Sequence, residues 1–450
     1  MLTIPLELEN ACGMEIIMKS VGLITEYNPL HTGHIYHMQK AKEITGADCC
    51  IAVMSGNFVQ RGEPAIVNKY LRCAAAIDAG VNLCIELPSF YAVSSAEGFA
   101  DGAVRLLNSL MCDYVVFGSE CGNIDILYRA ADILVNEPAA YRDELKRLLS
   151  KGNSFPAARQ SALVKYMTEY ETLQKSNNAP VENITNTLSS PNNTLGIEYI
   201  KSIIKHSFNI KPFTIKREGT GYNENVINGL PSASAIRTQY CSYINSESTC
   251  TNNNSKKFTL PPDLSSLLPG SMAERINEQP PILLDDMTAL FNYKMSGLFN
   301  KCLYDKNSIA KELSSYMDIS IELGNRMADC FKGNEPLSSY CMNVKSRQYT
   351  YSRICRCVLH IILNITKINA AHYSGENVPY IRILGFDTTG QKYLSEIKKK
   401  CSPQIITKTA DYKDMLVDDI YCTSIYNQLV YNKYNMIIKD EFRQPVYRKN

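Results

Sequence analysis

The sequence lacks the features that mark secreted, membrane-spanning and zinc-ribbon proteins. It contains 16 cysteines but no CxxC pair, and the closest spacings, Cys49-Cys50 and Cys355-x-Cys357, do not match those of zinc fingers. It has no run of 18 apolar residues that could span a bilayer, and acidic side chains interrupt its first 20 residues, unlike a signal peptide. The sequence therefore predicts a reduced, cytoplasmic protein whose cysteines are free thiols in apolar packing.

Net charge is also small, but it is unevenly distributed. The 450 residues have a formal charge of +2, whereas Leu337 to Asn450 carry 17 Lys/Arg and 9 Asp/Glu, which leaves −6 for residues 1–336. A basic end on a mildly acidic body is typical of a protein with an anionic partner such as nucleic acid. An ordinary solvated surface explains the same charge equally well.

Short apolar runs alternate with helical periodicity in the first 120 residues. The runs are SVGLIT (20–25), CCIAVM (49–54), NLCIEL (82–87) and YVVFG (114–118), each with the length of a buried parallel strand. The helical stretches between them cover 35–45, 68–79 and 94–110. This spacing predicts an α/β fold with a doubly wound parallel sheet.

Beyond residue 120 the pattern is more helical. Helices are predicted at 124–150, 155–173, 195–206 and 232–244, with a strand at 210–218. Two Asn-, Ser- and Thr-rich segments, 176–193 and 244–257, are typical of loops or linkers. From about residue 260 onward the periodicity is mainly helical. We therefore expect an α/β domain at 18–245 and a mostly α-helical domain at 260–450.

Histidine is scarce, and half of it lies within seven residues. The chain has six histidines, and His31, His34 and His37 follow the first predicted strand in EYNPLHTGHIYH. A helix that begins there points backbone N–H groups and the positive end of its dipole at the sheet edge, where an anion can bind. Gly33 lets a ligand approach the backbone. His31 and His34, three residues apart, can donate hydrogen bonds to charge that develops on a phosphate.

Two other interpretations of this motif stay open at the level of the residues. HxxH can ligate a metal, although neither a third ligand nor an HExxH-type acid accompanies it. The histidines can also simply pack at the start of a helix. The complete HxGH pattern after a first strand favours phosphate binding, because it resembles the motif of the nucleotidyltransferase superfamily, which includes class I aminoacyl-tRNA synthetases.

A second motif supports this interpretation. SASAIR, Ser232 to Arg237, resembles the ISSTxIR motif that the same superfamily places opposite HxGH. Small hydroxyl side chains at a helix start can cap the helix and hydrogen-bond phosphates. Arg237, one turn further, can reach the β- and γ-phosphates of a nucleotide. The two motifs together indicate nucleotidyl transfer with His31, His34 and Arg237 as the catalytic side chains.

Longer runs narrow the resemblance to one family. VGLITEYNPLHTGH, MSGNFVQRGEPAIVNKY, CIELPSFYAVSSAEGFA, VVFGSECG, SPNNTLGIEYI, RQYTYSRICRCVLHIIL and PYIRILGFDTTGQKYL resemble the tRNA(Met) cytidine acetate ligase family, over about residues 20–400. The resemblance implies an enzyme that activates acetate with ATP as acetyl-adenylate and releases pyrophosphate. It also implies that the acetyl group passes to the wobble cytidine of elongator tRNA(Met), giving N4-acetylcytidine.

The resemblance also assigns residues that bind ATP. Outside the histidine motif they are Gly118, where bare backbone can lie against adenine or ribose, Asn192, whose amide can pair with a base edge, and Arg217, which can pair with phosphate. Taken singly, each of these three is more often structural. Within the motif the ATP-binding residues are Ile24, Thr25, Glu26, Tyr27, Asn28, Pro29, Leu30, His31, Thr32, Gly33, His34, Ile35, Tyr36 and His37.

The loop after the second predicted strand, NFVQRGEPAIVNKY, should face the same crevice. Arg61 and Lys69 are candidates to hold the carboxylate of acetate or the departing pyrophosphate. A solvated loop with one buried cation is the equally weighted alternative.

A basic, aromatic segment in the second half is a candidate surface for tRNA. Cations neutralise phosphates, and aromatic side chains stack on unpaired bases such as those of an anticodon loop. The target cytidine should leave its stack to reach the adenylate. A solvated helix face is the alternative. The candidate residues are Lys345, Arg347, Tyr349, Tyr351, Arg353, Arg356 and Lys398 to Lys400.

Two rival functions fit parts of these patterns. An adenylyltransferase of cofactor synthesis would use the same two motifs, although it needs no basic helical domain. A nucleotide-dependent RNA-binding protein without catalysis would keep the fold. For the enzyme, ATP is the expected cofactor and Mg²⁺ is expected on its phosphates, while no carboxylate cluster in the sequence identifies ligands of that ion.

Overall fold

A computed structural model describes residues 18–169, 181–217, 233–248, 261–375 and 377–450. Most of its strands lie in one sheet, and two form a short hairpin. The strands are β1 (Ser20–Thr25), β2 (Cys49–Ser55), β3 (Phe58–Val59), β4 (Glu63–Pro64), β5 (Leu83–Leu87), β6 (Tyr114–Ser119), β7 (Lys211–Lys216), β8 (Tyr380–Asp387), β9 (Gln404–Ile406) and β10 (Tyr447–Lys449).

The described helices surround the sheet and form a separate layer in the second half of the chain. None of those described is both long and apolar enough to cross a membrane. They are α1 (Thr32–Thr45), α2 (Lys69–Asp78), α3 (Ser89–Ala92), α4 (Ala96–Ser109), α5 (Ile124–Asn136), α6 (Ala139–Ser150), α7 (Phe155–Glu169), α8 (Val181–Ser189), α9 (Pro191–Lys205), α10 (Ala233–Ser248), α11 (Pro262–Ser265), α12 (Gly270–Arg275), α13 (Thr288–Lys301), α14 (Lys306–Leu313), α15 (Ile321–Cys330), α16 (Leu337–Val344), α17 (Tyr351–Leu363), α18 (Lys367–Tyr373), α19 (Thr388–Ile397) and α20 (Val417–Tyr434).

The sheet has the doubly wound architecture that the sequence predicts. Its order is β10-β8-β5-β2-β1-β6-β7, with β9 paired to β8, and of these pairings only β5–β8 is antiparallel. Side chains of β2 alternate between two apolar layers, because successive strand residues point to opposite faces. Ile51 and Val53 pack in the layer that contains α4 and α5. Cys50 and Ala52 pack in the layer that contains α1 and α2.

The prediction of free thiols is confirmed for the part of the chain that the structure describes. The 14 described cysteines are all free, and several, including Cys49, Cys50 and Cys84, are fully buried in the sheet. Burial raises the pKa of the Cys50 thiol to about 12, so it stays protonated and acts as a small apolar side chain.

The sheet crosses the boundary predicted between the two domains. The expectation that the chain is mainly helical after residue 260 holds for α13 to α17 and α20, which share a second apolar core. It is wrong for β8, β9 and β10, which return to the sheet. The first seven residues of β8, 380–386, are all buried, as is typical of a central strand, although Arg382 interrupts their apolar run.

Three predicted elements need local corrections. The helix expected over 124–150 is two helices, because Glu137 adopts a left-handed backbone conformation and Pro138 follows it. The segment 176–193, expected as a loop, contains α8 and the first turn of α9. The helix expected over 155–173 is α7 as far as Glu169, and its last residues lie outside the described ranges.

A buried cluster of four charged side chains joins the C-terminal end of the chain to the sheet. Lys69 Nζ lies 2.6 Å from Glu86 Oε1 and 2.5 Å from Glu441 Oε1, and it is fully buried. Arg382 lies 2.5 Å from Glu441 Oε2 and 3.5 Å from Glu86 Oε2. Burial raises the pKa of Glu86 to about 7, whereas Lys69 and Arg382 outweigh burial at Glu441 and lower its pKa to about 2. Lys69, predicted to hold acetate or pyrophosphate, is therefore committed to two carboxylates.

We predict that Lys69→Met lowers the free energy of unfolding by about 3–5 kcal/mol, because it leaves two buried carboxylates with one cation between them. Urea denaturation followed by circular dichroism measures the change. Lys306→Met is the matched control, since Lys306 forms an ion pair with Asp329 in which both side chains are more than half exposed. Its loss should cost about 0–1 kcal/mol. Equal effects of the two substitutions would mean that the buried cluster contributes no more than a surface pair.

Candidate active site

The candidate active site lies at the topological switch point of the sheet. β2 pairs with one side of β1, whereas β6 pairs with its other side. In open α/β sheets, ligands bind outside the carboxyl ends of the strands at such a point, because the loops there diverge and leave a crevice. The HTGH segment follows the end of β1, and Gly118 lies in the last two residues of β6. Both motifs therefore border the crevice.

The two histidines of HTGH cap helix α1 with their rings. His31 is the N-cap residue in an extended conformation, and its Nδ1 accepts a hydrogen bond of 3.1 Å from the Gly33 N–H. His34 Nδ1 accepts one of 3.2 Å from the His31 N–H. Their ring centroids are 3.8 Å apart. This pair of bonds satisfies backbone donors that the first turn leaves unpaired, as a capping box does with Ser and Glu side chains.

The cap fixes the tautomer of both rings. A nitrogen that accepts a hydrogen bond carries no proton, so the neutral ring must carry its proton on Nε2. Within the described part of the chain, Nε2 of His31 and of His34 has no hydrogen-bond partner. Each ring thus presents one N–H donor beyond the helix start.

Burial and neighbouring charges keep these rings neutral. Burial and the positive charge of Arg217 lower the pKa of His31 to about 4. Burial, His31, His37 and Arg217 lower the pKa of His34 well below its ordinary value. Burial and Arg217 lower the pKa of His37 to about 4. At neutral pH the three rings are therefore uncharged, and His31 and His34 each retain one N–H donor, at Nε2.

His37 lies one turn further along α1. Its Nε2 atom is buried and has no hydrogen-bond partner among the described residues. Such a buried polar group costs free energy unless a partner completes it. Within the described ranges, no group of three or more His, Cys, Asp or Glu side chains is placed to hold a metal ion. The metal-binding interpretation of HxxH therefore finds no support in the described residues.

Arg217 and Gly118 are brought together across two paired strands. Gly118 pairs with Ile215 in β7, and Arg217 follows β7 with its backbone N–H bonded to Ser119 O at 2.9 Å. A Cβ atom on Gly118 would lie 3.2 Å from Cγ of Arg217. Glycine therefore lets the exposed arginine side chain lie across the strand end, where its charge acts on the histidines.

Arg237 holds the loop that contains the histidines. It lies in the first turns of α10, and its guanidinium donates to Asn28 O at 2.8 Å and to Ser234 Oγ at 3.2 Å. Ser232, the first residue of SASAIR, lies outside the described residues. The charge of Arg237 contributes, after burial, to a lowered pKa of Arg61, which also interacts with Glu26. Arg61 and Arg237 are therefore close enough for their charges to interact.

Asn192 is hydrogen-bonded to Glu120, a contact that the sequence does not suggest. Its backbone N–H and its side-chain amide donate to Glu120 Oε1 at 3.2 and 2.7 Å. Asn193, fully buried, accepts from the backbone N–H of Glu120 and of Cys121. Helix α9 is thereby fixed to the loop after β6. One donor of the Asn192 amide is therefore used within the protein.

A buried arginine, which the sequence analysis did not identify, holds together two loops that border the crevice. Arg72 is fully buried in α2. Its guanidinium donates to the carbonyl oxygens of Glu26 at 2.5 Å and of Ser55 at 3.2 Å, and also to that of Gly56. It thus ties the loop after β1 to the end of β2. The available signal was an arginine in an otherwise apolar helix, in KYLRCAAAI.

The predicted tRNA surface is partly exposed. Lys345 and Arg347 are exposed in the loop before α17, and Lys398 to Lys400 are exposed after α19. The guanidinium of Arg353 lies 5.2 Å from the ring centroid of Tyr349. These side chains are accessible to an anionic partner.

Arg356 does not belong to this surface. It is only 8% exposed, and its Nε lies 3.4 Å from Asp318 Oδ2. In a helix whose buried face includes Ile354, Cys355 and Cys357, position 356 also turns inward. The prediction that Arg356 faces tRNA is therefore wrong, because a charge run alone does not distinguish a paired cation from a solvated one.

Comparisons with known proteins agree with this geometry. The family model described as HIGH Nucleotidyl Transferase matches residues 18–441. The tRNA(Met) cytidine acetate ligase of Clostridium novyi is 38% identical over 439 residues, which cover 96% of this chain and 100% of the relative. That of Clostridium acetobutylicum is 39% identical, with 95% and 100% covered.

Solved structures agree as well. TmcAL of Thermotoga maritima bound with alpha-thio ATP superposes with a TM-score of 0.80 at 30% identity, covering 96% of this chain and 99% of that chain. The apo form of the same protein gives a TM-score of 0.82 with the same coverage. Since family model, relatives and structures each span nearly the whole molecule, the chain belongs to the HIGH nucleotidyltransferases and, among them, to the tRNA(Met) cytidine acetate ligase family.

Proposed function

We propose that the chain is an ATP-dependent ligase that activates acetate as acetyl-adenylate and acetylates N4 of the wobble cytidine of elongator tRNA(Met) in the cytoplasm. The proposal depends on the pair of neutral imidazoles at the start of α1. Each ring bonds to the helix through Nδ1 and keeps an N–H donor at Nε2. The names of the relatives and the ATP analogue bound to the Thermotoga maritima protein support it.

The site fits a nucleoside triphosphate. The start of α1 contributes the positive end of the helix dipole, while its first backbone N–H groups are already bonded within the protein. The partly exposed guanidinium groups of Arg61, Arg217 and Arg237 add positive charge around it, and guanidinium binds phosphate with parallel hydrogen bonds. The buried Nε2 of His37 lacks a partner that a polar ligand would supply.

The first half-reaction needs charge stabilisation and no protein base. An oxygen of acetate, already ionised at neutral pH, attacks the α-phosphorus of ATP, and the bond from that phosphorus to the bridging oxygen of pyrophosphate breaks. His31 and His34 donate from Nε2 to the oxygens of the α-phosphate, where charge grows in the transition state. Arg237 stabilises the leaving pyrophosphate. The cap suits both rings to this role because it fixes their orientation before the substrate binds.

The second half-reaction joins the two substrates. The N4 amine of cytidine attacks the acetyl carbonyl carbon, the bond to the phosphate oxygen breaks, AMP leaves, and the amine loses one proton to solvent. The cytidine must reach the crevice at the end of β1, so it leaves the base stack of the anticodon loop. Lys345, Arg347 and Arg353 hold the phosphates of that loop.

Mg²⁺ accompanies ATP in this proposal. The described residues offer no cluster of three or more His, Cys, Asp or Glu ligands. The ion would therefore be held chiefly by triphosphate oxygens and water, as Mg²⁺ commonly is.

Incubation with ATP, labelled acetate and elongator tRNA(Met) tests the whole proposal, with label expected in N4-acetylcytidine of the tRNA. Pyrophosphate release with another acid or ester, but not with acetate, would indicate an adenylyltransferase of a different pathway. Tight tRNA binding without pyrophosphate release under any condition would indicate a binding protein.

We predict that His34→Asn lowers the rate of acetate-dependent pyrophosphate release by about 10²–10³-fold, the usual cost of one transition-state donor. The Asn side chain can still accept from the His31 N–H in place of Nδ1, but it lacks the Nε2–H donor. Pyrophosphate release measures the first half-reaction alone. The affinity for tRNA, measured separately, should change little.

His34→Gln is the complementary control. Its amide can donate near the position of Nε2, yet it cannot cap the helix as Nδ1 does. If Asn preserved activity and Gln abolished it, the histidine would serve the helix cap and not the reaction.

We predict that the free energy of unfolding falls as pH decreases from 6.5 to about 4. The unfolded chain binds protons on His31, His34 and His37 near pH 6.5, whereas the folded chain resists protonation because the pKa values of these residues are lowered. The contribution of these neutral histidines to the free energy of unfolding is therefore fully present above pH 6.5. Below that pH it falls by about 1.4 kcal/mol per pH unit for each proton that the unfolded chain binds. Urea titrations across this range measure the slope, and His37→Phe should reduce it by about one proton. An unchanged slope in that variant would contradict a neutral, buried His37.

We predict that Lys345→Gln combined with Arg347→Gln weakens tRNA binding and makes its dependence on salt shallower, by about one to two units in the slope of log K against log salt concentration. Lys146→Gln with Lys151→Gln removes the same charge from two exposed positions of α6 and its C-cap. That control should leave the slope unchanged. If both double variants weakened tRNA binding equally, the effect would come from the total charge of the protein and not from Lys345 and Arg347.

A further inference from the structure

A surface cavity of about 420 Å³ lies on the helical half of the molecule, apart from the HTGH crevice. It combines an apolar side with hydrogen-bonding groups. Met342 is 57% exposed, so its side chain is accessible in the cavity wall, and Tyr351 is half-buried beside it. The lining residues are Ser338, Ser339, Met342, Asn343, Lys345 and Tyr351.

The wall of the cavity is held rigid by its neighbours. The N–H and hydroxyl groups of Ser338 donate to the two carboxylate oxygens of Asp285 at 2.7 and 2.8 Å. Asn343 Nδ2 donates to Glu335 Oε2 at 2.9 Å. The guanidinium of Arg326 donates to carbonyl oxygens at the end of α16, including that of Lys345 at 3.0 Å. These hydrogen bonds hold the wall in place, although Oε1 of Glu335 has no partner among the described residues.

Cations and an aromatic ring extend from the cavity along the loop before α17. Lys345, which lines it, and Arg347 are exposed. The backbone N–H groups of Gln348 and Tyr349 bond to Ser346 Oγ, both at 3.3 Å, so the loop has a defined turn. A preformed aromatic and apolar wall beside exposed cations suits a nucleobase with its phosphate.

The hairpin β3–β4 connects this cavity to the catalytic crevice. Gly62, at φ +82, touches α17 so closely that a Cβ atom there would overlap the backbone of Arg356. The backbone N–H of Gln60, also in the hairpin, donates to Glu26 Oε1 at 2.8 Å, in the loop that carries the histidines. Tyr351, which lines the cavity, is the first residue of α17. The hairpin therefore contacts both the loop of the crevice and the helix that begins at the cavity.

We propose, on the basis of the function proposed above, that the cavity between α16 and α17 binds one unstacked nucleotide of the substrate RNA, adjacent to the target cytidine. Its base lies against Met342 and Tyr351. Its phosphate lies toward Lys345 and Arg347. With the neighbouring base held here, the target cytidine is free to extend along the hairpin to the end of β1.

Ser339→Trp tests the proposal by filling the cavity from an exposed helix position. We expect it to weaken binding of elongator tRNA(Met) at least tenfold and to lower acetyl transfer to the tRNA, while acetate-dependent pyrophosphate release is unchanged. Ser424→Trp, at an exposed position of α20, is the matched control and should change none of these quantities.

A double-mutant cycle identifies the occupant. An abasic site is placed in the tRNA at each position that flanks the target cytidine, and binding to the wild-type chain and to Ser339→Trp is compared. At one flanking position, loss of the base should weaken binding of the tRNA to the wild-type chain about tenfold. For Ser339→Trp, the abasic and the intact tRNA should bind with equal affinity. Wild-type affinity in Ser339→Trp, or independent losses at both positions, would overturn the proposal. If the wild type acetylates no tRNA at all, the proposed function fails by itself, before any variant is compared.

Discussion

Two hydrogen bonds at the start of α1 determine the chemistry of the crevice. Nδ1 of His31 and Nδ1 of His34 accept backbone N–H groups, and this leaves the proton of each neutral ring on Nε2. Serine and glutamate would cap the same helix, but they would leave no rigid N–H donor beyond it. Burial and the charge of Arg217 prevent the rings from becoming cations. In the proposed function, one nitrogen of each ring therefore caps the helix and the other donates to phosphate.

Burial separates structural cations from functional ones in this fold. Lys69 and Arg382 are enclosed with two carboxylates, and Arg72 is enclosed by carbonyl oxygens of the two loops that form the crevice. Each offsets its desolvation within the protein, as buried charges must. Arg217 and Arg237 instead keep exposed area and lie beside the histidines. A cation can act on a substrate only if its interactions within the protein leave some of its donors accessible.

Much of the fold could be predicted from sequence, because the buried strands of a doubly wound sheet are short apolar runs at regular spacing. Even so, β8 was missed: its position 300 residues after β5 depends on tertiary pairing, which no local pattern records. At the site, HTGH was evident as a motif, whereas Arg217 was assigned by the family resemblance. The order β1-β6-β7 places Arg217 on the same side of β1 as Gly118. The roles of Lys69 and Arg61 could not be separated, since both follow β2 and only their partners distinguish them. Arg72 and Glu120 act through backbone groups and neighbouring amides, which leave no sequence pattern.

The hairpin β3–β4 gives the two halves of the molecule a fixed relation. Phe58 is buried in the core of the helical half, and Gly62 lies against the backbone of α17. At the same time Gln60 N donates to Glu26 Oε1 at 2.8 Å, within the loop that carries the histidines. The hairpin cannot shift toward α17 without overlap, nor away from the crevice without breaking this bond. The distance from the basic helical surface to the HTGH crevice is therefore set by the fold. If RNA binds on that surface as proposed, its cytidine must span this distance to react, which favours an anticodon loop whose base is able to leave the stack.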